Sequence, residues 1–454
     1  MKKEYRNVYF IGIGGIGMSA LARYFKFKGF NVCGYDRTPS ELTGALESEG
    51  ISVHFTDDVN AIPGTPEDTL VVYTPAIPDS LEELQYVRNN GYRVIKRSQM
   101  LGELTVGQTC LAVAGTHGKT TTSTLIAHII TASGEGCSAF LGGISRNYNT
   151  NMLMSHTPTA VVEADEFDRS FLQLHPSIAA ITAIDADHLD IYGDLEHVEE
   201  AFYQFAGQVS DTLIIKKNLN VKNRKLDAKV YTYHIDDSSA DFHGENFRLD
   251  DTGHYTYDLV YPHGKICDIR VGAIGRINIE NSIAAAAVCL CHGTAPDRIR
   301  EAIGTFLGAK RRLELHINTP ECTYIDDYAH HPNELDSAIT SIRQIFPGRK
   351  ITGIFQPHLY TRTRDFAPEF AEALSKLDKL ILMDIYPARE EPIPGVTSEI
   401  IFKEVTCPEK VMTTKENLMD LISREDVDVL CTFGAGNIDR LVAPLAEMLE
   451  KRLK

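Results

Sequence analysis

Residues 110–121 read CLAVAGTHGKTT, and this stretch decides the fold of the middle of the chain. Its apolar first half predicts a buried strand, and helical spacing over 123–132 follows the Gly-Lys-Thr-Thr turn. The turn is similar to a P-loop, in which backbone amides cradle phosphates and a lysine reaches the β- and γ-phosphate oxygens. Lys119 takes the lysine position, and the Thr120 hydroxyl takes the Mg²⁺ position. The match is incomplete, because Val113 stands where the common pattern has its first glycine.

A second glycine loop, GIGGIG at 12–17, lies about a hundred residues upstream. It follows an apolar run at 8–11 and precedes helical spacing at 18–28, which is the context that G-x-G-x-x-G requires. Such glycines let the backbone approach a pyrophosphate, and an acid closing the next strand completes the pattern. NAD, FAD and UDP-sugars all present a pyrophosphate, so the ligand stays open. The candidate binding residues are Gly14, Gly15, Gly17 and Asp36.

Strands and helices alternate along the chain, which predicts an α/β protein of three domains. The first and third segments have the pattern of doubly wound, Rossmann-like sheets, and the middle segment surrounds the P-loop-type turn. The polar segment 216–270 has weak alternation and predicts a β-rich excursion. The predicted domains span residues 1–104, 105–314 and 315–454.

Composition excludes several classes of protein. The 454 residues include 45 basic and 62 acidic side chains, and a net charge of −17 disfavours nucleic acid as a main partner. Nine cysteines without a C-x-x-C pair favour reduced thiols in a cytosolic enzyme. No apolar run reaches about 18 residues, so we expect no membrane span. The glycines within 8–22 also argue against a secretory signal.

Polar motifs follow other predicted strands. EADE at 163–166 offers carboxylates near the P-loop-type turn, where a Mg²⁺ ligand is needed. Any one of these acids taken alone favours a solvated loop residue. DADHLD at 185–190 surrounds His188 with three acids, which could raise the pKa of the histidine or share a cation with it. The pattern favours this interpretation and an ordinary surface or core histidine equally. Asn281 opens an alanine-rich helix, and its amide suits an adenine edge or a helix cap; the residue alone favours the cap.

Three further strings lie in the last third of the chain. KRR at 310–312 is typical of either a solvated face or a phosphate clamp. DDYAHHP at 326–332 presents titratable side chains at the carboxyl end of a predicted strand, where open α/β folds bind ligands. QPHLYTRTR at 356–364 offers side chains to an anion, namely His358, Tyr360, Arg362 and Arg364.

The two phosphate loops together restrict the function. A nicotinamide oxidoreductase leaves the second loop unexplained, and a simple ATPase leaves the first unexplained. A non-catalytic ATP-binding regulator of the same fold is a further rival. It is disfavoured because this chain has residues suited to catalysis at the candidate catalytic positions. The combination favours an enzyme that joins a nucleotide-linked substrate to chemistry driven by ATP.

From the loop at 12–17 to GAGNI at 434–438, the motifs resemble the Mur ligase family of peptidoglycan synthesis, and within it the alanine-adding branch. The strings at 356–364 and 434–438 are similar to that branch. DDYAHHP also occurs in murein tripeptide-recycling ligases, which remain the alternative. The resemblance implies a cytoplasmic monomer or weak homodimer that joins L-alanine to the lactyl carboxylate of UDP-N-acetylmuramate. ATP and Mg²⁺ would drive this reaction through an acyl phosphate.

The resemblance also implies residue roles, with UDP bound by the first domain. ATP would be held by Gly115, Thr116, His117, Gly118, Lys119, Thr120, Thr121, Asn281, Arg312 and Asp327. The Mg²⁺ ligands would be Thr120, Glu163 and His188. The groups that meet the substrates would be Tyr328, His330 and Arg362. The implied catalytic set is Lys119, His188, His330 and Arg362. His330 would either accept a proton from the alanine ammonium or orient the amine.

The sequence departs from the family pattern at a few positions. Ile277 replaces a histidine, and Thr74-Pro75 replaces a more serine-rich string near the expected UDP site. No lysine lies about fifteen residues after His188, so we expect no carbamylated lysine at a second metal site. The third domain is expected to close over the second during the reaction.

Overall fold

A computed structural model describes residues 5–185, 189–219, 226–388 and 390–453, with the backbone alone at 189–190. The described residues form three β-sheets with helices between their strands, which confirms the predicted α/β class. The chain divides into two compact units. The first unit holds the first sheet and most of the second, and the second unit holds the third sheet with the segments 248–256 and 271–278.

The first sheet has five parallel strands in the order β3-β2-β1-β4-β5. Short apolar strands joined by helices give the parallel arrangement that the sequence predicts. The strands are β1 (Asn7–Ile11), β2 (Asn31–Tyr35), β3 (Ser52–His54), β4 (Thr69–Tyr73) and β5 (Arg93–Lys96). The helices are α1 (Ile16–Phe27), α2 (Glu41–Ser48), α3 (Glu82–Asn89) and α4 (Arg97–Thr105).

The second sheet has ten strands in the order β15-β14-β13-β12-β11-β10-β6-β9-β7-β8. The strands are β6 (Thr109–Ala114), β7 (Ser138–Ser145), β8 (Thr150–Leu153), β9 (Thr159–Glu163), β10 (Ile178–Ile181), β11 (Thr212–Lys216), β12 (Lys229–His234), β13 (Phe242–Leu249), β14 (Tyr255–Tyr261) and β15 (Gly264–Arg270). The helices are α5 (Lys119–Ala132), α6 (Leu189–Tyr192), α7 (Leu195–Gly207), α8 (Arg276–His292) and α9 (Pro296–Thr305). Strands β12 to β15 confirm the predicted β-rich excursion over 216–270.

The third sheet has six strands in the order β16-β17-β21-β18-β19-β20. The pair β16–β17 is antiparallel and the other pairs are parallel. The strands are β16 (Glu314–Asn318), β17 (Thr323–Asp327), β18 (Ile351–Phe355), β19 (Lys379–Met383), β20 (Glu409–Thr413) and β21 (Val429–Phe433). The helices are α10 (Pro332–Ile345), α11 (Tyr360–Asp365), α12 (Ala367–Leu374), α13 (Glu399–Glu404), α14 (Lys415–Ser423) and α15 (Asp439–Leu453).

The first two sheets share one apolar core. Its buried side chains run from Val8 and Phe10 on β1, through α1, to Val162 on β9. The predicted boundary at residue 104 therefore separates two sheets whose cores are continuous, and the three domain limits stay predictions. In the described part of the chain, no helix is long and apolar enough to cross a membrane.

Candidate functional site

The P-loop-type turn joins β6 to α5 through two glycines with left-handed backbone. Gly115 has φ +140°, and Gly118 has φ +83° directly before the first residue of α5. A Cβ at Gly115 would lie 2.1 Å from Thr182 Oγ1 and 2.8 Å from the Ala183 amide nitrogen. The turn therefore lies against the end of β10, and its amides lie at the amino end of a 14-residue helix. This arrangement suits an anion such as phosphate.

Lys119 is held in place by oxygens of the turn and of the acidic segment. Its Nζ donates to the Gly115 carbonyl at 2.7 Å and to Glu166 Oε1 at 2.8 Å. Glu166 is only 1 % exposed. Burial alone would lower the pKa of Lys119, but the charges of Glu166, Asp165 and Glu163 outweigh it and raise that pKa. The lysine therefore stays a cation.

Thr120 and Glu163 are in hydrogen-bond contact. The Thr120 hydroxyl donates to Glu163 Oε1 at 3.1 Å, and the Gly142 amide donates to Glu163 Oε2 at 3.0 Å. A hydroxyl oxygen and a carboxylate oxygen at a phosphate turn are the donors that Mg²⁺ prefers, so these residues fit the ion. The third predicted ligand, His188, lies outside the described residues.

Asn281 contradicts the prediction of a helix cap. Helix α8 begins at Arg276, after Gly275 with φ +95°, so Asn281 lies inside the helix. Its Oδ1 accepts a hydrogen bond from the Thr122 hydroxyl at 3.4 Å. A Cβ at Gly118 would lie 2.9 Å from the same oxygen. The Asn281 amide therefore lies beside the phosphate turn, where a nucleotide contact is possible.

The loop at 12–17 brings its predicted residues together. The Asp36 carboxylate, just after β2, accepts a hydrogen bond from the Gly14 amide at 2.8 Å. A Cβ at Gly17 would lie 2.7 Å from Nη1 of Arg97. Arg97 also pairs with Asp165 Oδ2 at 3.2 Å, in the acidic segment that follows β9. Arg97 thus connects the first glycine loop with the acidic segment beside the phosphate turn.

A buried polar network also joins the first two sheets. Asn151 on β8 donates from Nδ2 to the Ile16 carbonyl at 2.5 Å and to Ser19 Oγ at 2.9 Å. Its Oδ1 accepts from Arg23, whose other nitrogens bind Glu49 at 2.7–3.0 Å. Since Ile16 is the first residue of α1, this network fixes the helix that follows the first glycine loop.

In the second unit, two arginines flank one tyrosine. The guanidinium carbons of Arg311 and Arg312 lie 5.3 and 5.2 Å from the centre of the Tyr328 ring. Arg311 donates from Nε to Asp326 Oδ2 at 2.9 Å, and Asp326 is fully buried. The KRR string is therefore not a solvated face at Arg311. Glu314, His316 and Asp326 also lie close enough together to share a cation, but the Arg311 guanidinium already neutralises Asp326.

Asp327 binds the backbone on both sides of this cluster. Its carboxylate accepts the Leu313 amide at 2.7 Å and the Ala329 amide at 2.8 Å. Burial raises the pKa of Asp327 to about 6, against the lowering effects of Arg312 and of the two amides. Asp327 thus determines the conformation of the segment that carries Arg312.

His330 and Arg362 lie at the carboxyl edge of the third sheet. His330 Nδ1 lies 3.0 Å from the Tyr328 carbonyl and 3.2 Å from Glu334 Oε2. Burial lowers the pKa of His330, Arg362 lowers it further, and Glu334 opposes both effects. Among the described residues, Nη1 of Arg362 is buried and lacks a hydrogen-bond partner. A buried guanidinium nitrogen of this kind suits an anionic ligand.

Comparison with known proteins accounts for nearly the whole chain. The family model "Mur ligase family, catalytic domain" matches residues 7–109, "Mur ligase middle domain" matches 113–289, and "Mur ligase, glutamate ligase domain" matches 311–436. The chain belongs to the Mur ligase family. ATP use is common to this family, and the phosphate turn with Lys119 lies within the middle-domain match.

Individual Mur ligases are similar over their full length. The UDP-N-acetylmuramate–L-alanine ligases of Parabacteroides distasonis and Porphyromonas gingivalis are 51 % and 50 % identical, covering 98 % of this chain and 98–99 % of theirs. The crystal structure of the UDP-N-acetylmuramate–alanine ligase of Thermotoga maritima has a TM-score of 0.83 at 25 % identity, covering 98 % of this chain and 99 % of that one. A murein peptide ligase of Psychrobacter arcticus has the same fold, with a TM-score of 0.72 at 20 % identity and 98 % coverage of both chains.

Sequence reasoning missed three charged residues of these sites. Glu166 was within the quoted acidic string, but nothing in the string distinguishes it from its neighbours. Arg97 begins α4 and is paired across 68 positions, which no local pattern reveals. Glu334 had a usable signal, because it stands four residues after His330 beside a helix start.

Proposed function

We propose that this chain catalyses the ATP-dependent joining of L-alanine to the lactyl carboxylate of UDP-N-acetylmuramate, a step of peptidoglycan precursor synthesis. The observation that carries the proposal is the phosphate turn, where Lys119 is held as a cation next to the Thr120–Glu163 oxygen pair. The relatives at 50–51 % identity are named for this reaction and align over 98 % of the chain.

The chemistry requires activation of a carboxylate. A carboxylate resists attack by an amine because its charge and resonance must be lost. Attack of a carboxylate oxygen on the γ-phosphorus of ATP forms an acyl phosphate and releases ADP. The deprotonated amine then attacks the acyl carbon, and phosphate leaves as the amide forms. Lys119 would stabilise the negative charge of the transferring group. Mg²⁺, held by Thr120, Glu163 and His188, would supply further charge neutralisation.

The UDP-linked substrate would occupy the first glycine loop. Gly14, Gly15 and Gly17 would let the backbone approach the diphosphate, beside Asp36. Asn281 would contact the adenine of ATP, and Arg312 and Asp327 would contribute to nucleotide binding. The proposal includes a cytoplasmic monomer or weak homodimer, and domain limits near residues 104 and 314.

The amine of alanine would lie beside His330, Tyr328 and Arg362 when it reacts. A neutral imidazole whose Nδ1–H donates to the Tyr328 carbonyl has its lone pair on Nε2. The lowered pKa of His330 favours this neutral form near pH 7. His330 would accept a proton from the alanine ammonium or orient the amine, and Arg362 would hold a substrate anion beside Tyr328.

A murein tripeptide-recycling ligase is the second candidate. The relatives at high identity are named for L-alanine addition, whereas the murein peptide ligase is 20 % identical, so its likeness extends to the fold alone. Phosphate release from ATP, measured with UDP-N-acetylmuramate and either L-alanine or the tripeptide L-alanyl-γ-D-glutamyl-diaminopimelate, separates the two candidates.

An isotope experiment tests the order of the chemistry. UDP-N-acetylmuramate labelled with ¹⁸O in the lactyl carboxylate should deliver one label to inorganic phosphate per turnover, with ADP as co-product. Label in AMP, or none in phosphate, would contradict the acyl phosphate. Calorimetric titration should also give saturable binding of UDP-N-acetylmuramate and none of NAD(H) or FAD.

A further inference from the structure

We propose that Glu166 is a positioning residue for the reaction, one that fixes the ammonium of Lys119 in the orientation required for phosphoryl transfer. The inference rests on the proposed function, because it concerns how Lys119 acts on ATP. Glu166 has no role in the predicted site, where Glu163 alone represents the acidic segment.

Lys119 and Glu166 form a close ion pair. Lys119 Nζ lies 2.8 Å from Glu166 Oε1 and 2.7 Å from the Gly115 carbonyl oxygen. The Lys119 side chain is 15 % exposed and Glu166 is 1 % exposed. The ammonium is therefore held between a carbonyl of the phosphate turn and a carboxylate from a different segment.

The backbone that carries Glu166 is held by hydrogen bonds. The Glu166 carbonyl oxygen accepts one from the Tyr192 hydroxyl at 2.6 Å and one from the Arg169 amide at 3.0 Å. The next turn contains two residues in the left-handed region, Asp168 with φ +52° and Arg169 with φ +54°. Tyr192 is buried. A backbone that is bonded and constrained on this side gives the Glu166 carboxylate a defined place.

Nucleotide binding and phosphoryl transfer depend on Glu166 to different extents. A bound triphosphate brings its own negative charge to Lys119, so loss of the Glu166 charge leaves nucleotide affinity nearly unchanged. Phosphoryl transfer instead depends on where the ammonium lies, and a displacement of about 1 Å lowers such a rate by about a hundredfold. Loss of Glu166 should therefore reduce kcat and spare the affinity for ATP.

The experiment compares Glu166→Gln and Glu166→Asp with the wild-type chain. Titration with a non-hydrolysable ATP analogue gives Kd without any need for ligase activity, and phosphate release gives kcat. We expect kcat to fall about tenfold to a hundredfold in Glu166→Gln, with Kd within about threefold of wild type. Glu166→Asp keeps the charge but shortens the reach, so its kcat should be intermediate.

Glu83→Gln is the matched control, because Glu83 is also fully buried and accepts hydrogen bonds from Tyr9 and from the Asp58 amide. It should lower the unfolding temperature without changing the Kd for the analogue. An unchanged kcat in Glu166→Gln would overturn the proposal, and so would a tenfold weaker Kd that accompanies the loss of kcat. If Glu166→Gln does not fold, the same outcomes apply to Glu166→Asp. Absence of ligase activity in the wild type would contradict the proposed function instead.

Discussion

The Asp327 carboxylate accepts the backbone N–H of Leu313 at 2.7 Å and so fixes the peptide that follows Arg312. Arg311 and Leu313, on either side of Arg312, both have left-handed backbone, with φ of +62° and +44°. The family resemblance presents Arg312 and Asp327 as two separate nucleotide contacts. In the structure they are coupled, because the acid determines the conformation of the segment that carries the arginine.

Asp327→Asn tests the role of this carboxyl group through the pH dependence of the free energy of unfolding. The pKa of Asp327 is about 6 in the folded chain, against an ordinary value of 3.8. Between these values the folded chain binds more protons, so this group makes stability fall as the pH rises from about 4 to 6. The stability advantage of wild type over Asp327→Asn should therefore be larger at pH 5 than at pH 7.5 in urea unfolding. An advantage that grows with pH would contradict the assignment.

Lys119→Met should abolish ligase turnover and also destabilise the fold. It leaves the buried Glu166 carboxylate without its lysine partner, which costs about 3–5 kcal/mol. The double variant Lys119→Met/Glu166→Gln should regain most of that stability and remain inactive. Urea unfolding and phosphate release measure the two effects. A double variant as unstable as the single one would show that the ion pair does not carry the loss.

Gly115→Ala should weaken nucleotide binding, because the new Cβ would collide with Thr182 Oγ1 and the Ala183 amide. Displacement of the turn at a strained φ costs about 1–3 kcal/mol, which corresponds to roughly a thirtyfold change in Kd at the middle of that range. Gly44→Ala in α2 is the control, since its Cβ meets no atom within 4 Å. The control should gain about 0.5–1 kcal/mol of stability and bind an ATP analogue normally. Normal binding by Gly115→Ala would refute the requirement for glycine.

Glu334→Gln should shift the pH profile of the reaction. Glu334 raises the pKa of His330, so its neutralisation should lower that pKa further. If the neutral imidazole is the active form, the acidic limb of kcat/KM for alanine moves to lower pH, and the rate at high pH is unaffected. Asp336→Asn, at a half-buried acid on the same helix that pairs with Lys376, should leave the limb in place. Movement to higher pH would exclude this role of Glu334.

The parts of the fold that depend on local sequence were predictable. Strand β1 with its glycine loop and strand β6 with the phosphate turn follow from short apolar runs and their glycines. Strands β7 and β8 were missed, because Gly142 and Gly143 interrupt the alternation of β7. The structure explains the first glycine: a Cβ at Gly142 would overlap the Glu163 carboxylate, so this glycine marks a close approach that only the folded chain reveals.

The site was predictable where a motif carries its own chemistry, as with Lys119 and Thr120. It was not predictable where the partner is distant in sequence. Glu166 and Lys119 are 47 positions apart, and Asn281 lies 159 positions from Thr122, whose hydroxyl donates a hydrogen bond to it. The choice between a cap and an interior helix position for Asn281 depended on where α8 begins, and helix ends are the least certain feature of a sequence pattern.

The Asn151 network limits how the chain can be dissected. Excision of the first sheet would uncover an amide that is fully buried beneath α1 and would remove Arg23, its hydrogen-bond donor. A fragment starting at β6 should therefore be insoluble or misfolded, even though sequence models treat it as a separate module. Chimaeras between relatives would need to exchange Arg23, Ser19 and Asn151 together, because Asn151 is hydrogen-bonded to both of the other residues across the boundary between the first two modules.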